Sequence, residues 1–149
     1  ILIKNNLSIS VAESLTGGMV SSSIINCSGI SKVFKNSMVT YSNEAKSKFL
    51  KIPMEKIEKY NEVSEEIAYD MAKNIAEISG TDIGLSTTGI AGPDGGTEDK
   101  PVGTVYAGIY YKGKVNVFRF NYSGNRLKIR NRTTKRILFE LYKIIKKDL

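Results

Sequence analysis

Apolar and polar positions change period several times along the chain, and each change marks an element. Leu7-Ser8-Ile9-Ser10-Val11-Ala12 alternates apolar and polar side chains over a short β-prone run. It then meets Gly17-Gly18 and helical spacing through Val20, Ile24 and Ile25, which predicts strand, tight turn and helix. A second strand is expected over residues 37–41, and Ser42 is placed to cap a helix from Asn43 toward Leu50. Pro53 can open another short helix. Ser64 followed by Glu65 and Glu66 is a helix start, because the hydroxyl caps free amides and the carboxylates oppose the positive end of the dipole. Ile67, Met71, Ile75 and Ile78 predict one buried stripe on that helix, closed by Gly80.

Residues 83–88 read as a strand, and residues 88–101 as a long Gly-, Pro- and Asp-rich loop of the kind that often carries function. Residues 102–111 and 114–122 are β-rich runs joined through Lys112-Gly113, which predicts an antiparallel hairpin. From about residue 125 a long helix is expected, with Ile129, Ile137, Leu141, Ile144 and Ile145 near one face. Strands alternating with helices, followed by a hairpin, predict an α/β fold of three α/β/α layers around a mixed, mostly parallel sheet.

A length of 149 residues fits one domain spanning 1–149, and 41% hydrophobic with 25% charged residues is near the globular average. The six residues before Leu7 read as the tail of a helix whose first part is missing. No apolar run approaches the roughly 18 residues that span a bilayer, so no membrane partner is expected. Cys27 alone cannot form an internal disulfide, and the absence of histidine excludes the usual Cys/His zinc site. The expectation is a cytoplasmic protein with no cofactor and no tightly held metal. A net charge of +7 favours an anionic partner, either a phosphorylated metabolite or a nucleic acid, although solubility alone also explains such a charge.

The lack of histidine also removes the Ser/His/Asp triad, so a covalent mechanism needs another base. A lysine serves only if burial or a positive field lowers its pKa. Lys46 lies in the first turn of the helix capped by Ser42, where the dipole disfavours a cation. On spacing alone it also reads as a solvated lysine beside an ordinary Glu44–Lys48 pair. Ser14 sits where the first strand turns toward a helix, within Ala12-Glu13-Ser14-Leu15-Thr16-Gly17-Gly18, with amides suited to a phosphate or an oxyanion. Plain helix capping by Ser14 or Thr16 fits the same pattern. Thr88 and Gly89 open a second glycine-rich loop at a strand's carboxyl end, the edge where ligands bind in open α/β sheets. Arg126 and Arg130, at i, i+4 on the last helix, share a face suited to gripping one phosphate. A nucleic-acid contact is the rival reading of this basic tract and the less favoured one, since no aromatic residues interleave it for stacking.

Four segments together resemble the nicotinamide-nucleotide amidase family, also called the CinA C-terminal domain family. They are residues 11–18 (VAESLTGG), 39–46 (VTYSNEAK), 88–97 (TGIAGPDGGT) and 100–105 (KPVGTV). The resemblance covers nearly the whole chain. It implies Ser14 as nucleophile, Lys46 as its base and Tyr41 as a hydrogen-bonding partner that orients or tunes the pair. It implies hydrolysis of the carboxamide of nicotinamide mononucleotide to nicotinate mononucleotide and ammonia, a step of NAD salvage. The partner is then a phosphorylated pyridine mononucleotide, bound through Thr16, Gly17, Gly18, Thr88, Gly89, Arg126 and Arg130, in a homodimer or larger assembly. Two positions depart from the family pattern: Leu15 stands where a cysteine is common, and Asn125 where an acidic residue often precedes Arg126.

Overall fold

In a computed structural model that describes the whole chain, Ile1–Leu149, each strand and helix predicted from Leu7 onward is present. The order is β1 (Ile9–Glu13), α1 (Met19–Ile25), a 3-10 turn at Ile30–Lys32, β2 (Phe34–Val39), α2 (Asn43–Leu50), α3 (Met54–Tyr60), α4 (Glu65–Ser79), β3 (Ile83–Gly89), β4 (Thr104–Tyr111), β5 (Lys114–Asn121) and α5 (Arg126–Asp148). The strands form one sheet in the order β2-β1-β3-β4-β5. β1 pairs parallel with β2 and β3, whereas β4 runs antiparallel to both of its neighbours. All strands but β4 therefore point the same way.

The caps act as their residue types dictate. The Ser42 hydroxyl accepts from the Ala45 amide and the Ser64 hydroxyl from the Ile67 amide, each worth about 1 kcal/mol to its helix. Gly80 ends α4 in the left-handed conformation. Ile67, Met71 and Ile75 are buried as expected, but Ile78 is 45% exposed. The buried stripe instead widens through Ala68, Ala72 and Ala76, and Ile78 falls beyond its edge. Ile25, the last residue of α1, likewise faces solvent.

One core lies between the sheet and α1 with α5, where Ile9, Val11, Ile83, Leu85 and Ile109 meet Val20, Ile24, Ile137, Leu141 and Ile145. The other lies beneath α4, where Ala12 meets Ile67, Met71, Ile75 and, from the α2–α3 region, Leu50, Ile52 and Ile57. The alternation in β1 is thus not inside against water, for all five of its residues are buried. Its small polar positions, with those of β3 and β4, let α4 approach the backbone. A Cβ on Gly84 would stand 2.0 Å from the Ala72 carbonyl oxygen, so only glycine fits there. The Ser86 hydroxyl, on the same face, donates to the Ala68 carbonyl at 2.6 Å.

β2 begins at Phe34, before the expected position 37. The pairing skips Lys35, passing from Ile9↔Phe34 to Ser10↔Asn36, and this bulge breaks the alternation that would have revealed the strand's start. Before Leu7 the chain makes a single turn, with the Asn5 amide donating to the Ile1 carbonyl.

Candidate active site

The parallel strands β2, β1 and β3 end at the same edge, and their register decides what meets there. Glu13 pairs with Val39 on one side and with Thr87 on the other. One residue further along, the chain brings together Ser14, Thr40 and Thr88. β1 is also where the connections diverge, since α1 crosses over one face toward β2, and α2 to α4 cross the other toward β3. Such a switch point opens a crevice at the carboxyl ends of the strands.

Ser14 is fixed by its own amide, which donates to the Thr87 carbonyl at 3.0 Å. Beside it the Thr16 and Thr87 hydroxyls share a 2.7 Å hydrogen bond. Lys46 reaches the same point from α2. Its Nζ lies 3.3 Å from Ser14 Oγ and donates to the Thr40 carbonyl at 2.9 Å. The side chain is wholly buried, and no carboxylate lies within ion-pair distance of it. Burial lowers its pKa from 10.5 to about 8, while the more distant negative charge of Glu62 pulls the other way. The solvated reading of Lys46 is therefore wrong: Glu44 and Lys48 are both exposed and form no ion pair. Ser14, with Lys46 behind it, opens onto a cavity of about 250 Å³ whose walls include Ser14, Leu15, Tyr41, Glu62, Thr88, Gly89, Asp94 and Arg126. An amine whose ammonium form is weakened by burial, in contact with a hydroxyl on the cavity wall, can serve as a base for that hydroxyl.

The CinA C-terminal domain model matches residues 1–145. The chain belongs to the CinA C-terminal domain family. Among its relatives is a Clostridium botulinum (strain Langeland) protein, provisionally named competence-damage inducible. It is 55% identical over 138 residues, which are 93% of this chain and 34% of that protein. A similarly named Clostridium perfringens protein is 54% identical over the same shares. The chain thus spans about a third of the curated relatives it matches. The solved CinA superfamily protein of Escherichia coli superposes with a TM-score of 0.92 at 29% identity, covering 96% of this chain and 83% of that one. The competence/damage inducible protein CihA of Agrobacterium tumefaciens gives 0.92 at 33% identity, covering 95% and 87%.

Within this CinA fold the other expected site residues part company. Tyr41 and Arg126 stand together on the cavity wall, the guanidinium donating to the Tyr41 hydroxyl at 2.9 Å and to the Gly92 carbonyl at 2.8 Å. Tyr41 makes no hydrogen bond to Ser14 or Lys46; its hydroxyl meets Arg126 instead. Arg130 does not line the cavity and does not share a phosphate grip with Arg126. Its Nε donates to the Leu15 carbonyl at 2.8 Å and its NH2 to the Thr16 carbonyl at 3.3 Å, so it clamps the loop after Ser14. Because the peptide is planar, holding Leu15 O also fixes the direction of the Thr16 N–H.

Thr16 is buried, and Gly17 and Gly18 face a separate shallow surface with Met19 and Ser22. The Gly17 amide is committed to the Ser14 carbonyl, but the amides of Leu15, Thr16 and Gly18 have no acceptor within the chain. Thr88 and Gly89 do line the cavity, and the Thr88 hydroxyl donates to the Glu62 carbonyl at 2.7 Å.

Two carboxylates escaped the sequence reading. Buried Glu13 accepts from the Val20 and Ser21 amides and the Ser21 hydroxyl, capping α1 from the strand before it. Its place in Glu13-Ser14 before Gly17-Gly18 was the available signal. Glu62 lies between α3 and α4 in a polar stretch with no motif, and only the folded chain brings it to the cavity. No three of the chain's carboxylates and thiol converge as metal ligands, and no helix is long and apolar enough to cross a membrane.

Proposed function

We propose that this domain is an amidase that hydrolyses the carboxamide of nicotinamide mononucleotide to nicotinate mononucleotide and ammonia. The observation that carries the reading is Lys46, buried without an ion-pair partner and 3.3 Å from Ser14 Oγ. A lysine with a pKa of about 8 is neutral in a useful fraction of molecules near neutral pH, as a general base must be. It takes the Ser14 proton as Oγ attacks the carboxamide carbon. The oxyanion falls to the amides of Leu15 and Thr16, which have no acceptor within the chain. Lys46 gives its proton to the amide nitrogen, which leaves as ammonia; the same amine then takes a proton from a water that cleaves the acyl-enzyme and passes it to the departing Ser14 Oγ, leaving nicotinate mononucleotide. Arg126, the one cation lining the cavity, takes the substrate's phosphate, and a homodimer or larger assembly belongs to the same proposal.

The test is to measure ammonia and nicotinate mononucleotide formed from nicotinamide mononucleotide by this chain and by its Ser14→Ala variant. Stoichiometric products from the first and none from the second are expected. Equal turnover by both would remove the nucleophile, and no product from the folded parent would remove the reaction.

The relatives' competence-damage naming and the exposed Lys128, Arg132 and Lys135 of α5 favour a second reading, a DNA-binding module. It predicts binding to duplex DNA that weakens steeply with salt and is indifferent to Ser14→Ala.

A further inference from the structure

The chain carries +7 overall, yet its cavity does not share that sign. Two carboxylates, Glu62 and Asp94, line it against one cation, Arg126. Asp94 is exposed on the glycine-rich loop, whereas Glu62 is half-buried. No lysine or arginine stands within ion-pair distance of Glu62. Its backbone is pinned, since the Thr88 hydroxyl holds its carbonyl and the Lys100 ammonium holds that of Val63 next to it. A partly desolvated carboxylate without a counter-charge is unfavourable unless something positive meets it. A pocket built for a phosphate alone gains nothing from such a group, which repels the ligand. A substrate carrying a fixed cation as well as a phosphate needs both signs in one cavity.

We infer that Glu62 is a specificity-determining residue, its carboxylate facing the positive ring of a quaternary pyridinium carboxamide while Arg126 takes the anionic end. The inference rests on the proposed amidase reading and narrows its substrate class. Oxidised pyridinium nucleotides are selected over their neutral dihydropyridine forms, although both present the same carboxamide and phosphate. The charged and titratable groups around Glu62 are Asp94, Tyr41 and Arg126 from the walls, Lys46 from behind Ser14, and Lys100 on the neighbouring Val63 carbonyl. Of these Arg126, Lys100 and a protonated Lys46 are cations, and none pairs with Glu62. The same carboxylate favours the protonated form of Lys46, so Glu62 links ring selection to the state of the base.

The experiment uses the Ser14→Ala chain, which holds ligand without turnover, and titrates it calorimetrically with nicotinamide mononucleotide and with its reduced, neutral-ring form. Binding of the oxidised form at least tenfold tighter is expected, and equal binding overturns the inference with no change made at Glu62. Adding Glu62→Gln should weaken the oxidised ligand about tenfold and leave the reduced one unchanged, with Glu62→Asp retaining part of the preference. Equal weakening of both ligands by Glu62→Gln would mark a merely structural role. In the Ser14-intact chain, Glu62→Gln should also move the acidic limb of the pH–rate profile to lower pH, a shift that loosened packing does not produce. Ammonia release by the parent separates the two claims. Release without ring discrimination sinks the Glu62 assignment alone, and discrimination without release sinks the amidase reading alone. Failure of both nucleotides to bind, with no ammonia release by the parent, sinks both.

Discussion

The two ends of the central parallel strands are built on opposite principles. At the amino end of β1 and β3 the polar side chains pair with one another. The Ser8 amide and hydroxyl both donate to the Asp82 carboxylate, the Asp82 amide donates back to Ser8 Oγ at 3.0 Å, and the Ser10 and Thr81 hydroxyls meet at 2.7 Å. The Ser8 hydrogen bonds hold the Asp82 carboxyl below its ordinary pKa. At the carboxyl end, Lys46 is buried without an ion-pair partner, Thr40 Oγ1 is buried with no hydrogen bond, and the Leu15 and Thr16 amides have no acceptor within the chain. Each of these costs stability. One end of the strands is closed by paired polar groups, and the other carries the unpaired groups that the proposed amidase would use.

The sharpest break of this contrast is Ser14→Ala, which should lower amide turnover by more than about a thousandfold while leaving the melting temperature within a degree or two. Lys46→Met comes next and should move activity and stability in opposite directions. Turnover should fall by about a hundredfold or more as the base is lost. Stability at pH 7 should rise by about 2 kcal/mol, the desolvation penalty less the lost bond to Thr40. The sign follows from a folded pKa of about 8 against an unfolded 10.5. Below pH 8 the ammonium is present in both states and burying it carries the full penalty. Between 8 and 10.5 only the unfolded chain holds the proton, so the parent gains stability with pH and the gap between the two proteins closes. Thermal unfolding of both from pH 7 to 11 checks this.

The two arginines sharpen the comparison further. Arg126→Ala should raise KM for a phosphorylated substrate about 10- to 100-fold with little change in kcat. Arg130→Ala should lower kcat and thermal stability together, because it releases the loop after Ser14 without touching the cavity. At the opposite end, Asp82→Asn should have the smallest effect, about 1 kcal/mol in a urea titration at neutral pH and none on turnover. Because the folded pKa of Asp82 is lowered, its contribution is present at neutral pH and lost as pH falls through the folded value.

Legibility in the sequence followed the same division. Caps at Ser42 and Ser64, the Lys112-Gly113 hairpin and the α5 stripe are local, so residue type and spacing sufficed. Ser14 and Lys46 were legible as candidates because each sits oddly for its type, one at a strand-to-helix turn and one at the cationic end of a helix. Their meeting depends on the β1–β2 register, which a bulge at Lys35 obscures. The placements of Arg130 and Glu62 were not legible at all. A guanidinium clamping a loop 115 residues away in sequence, and a carboxylate in a polar connection, have no periodic or motif signature. Ile78 misled because its spacing fits a stripe whose width is set by alanines packed on Gly84.

The most direct test of the central claim, that burial makes Lys46 the base for Ser14, is the pH dependence of ammonia release from nicotinamide mononucleotide. kcat/KM is expected to rise through a single limb near pH 8 to a plateau, with both limb and turnover lost in Lys46→Met. A profile flat across pH 8, or a limb that survives in Lys46→Met, would contradict that claim.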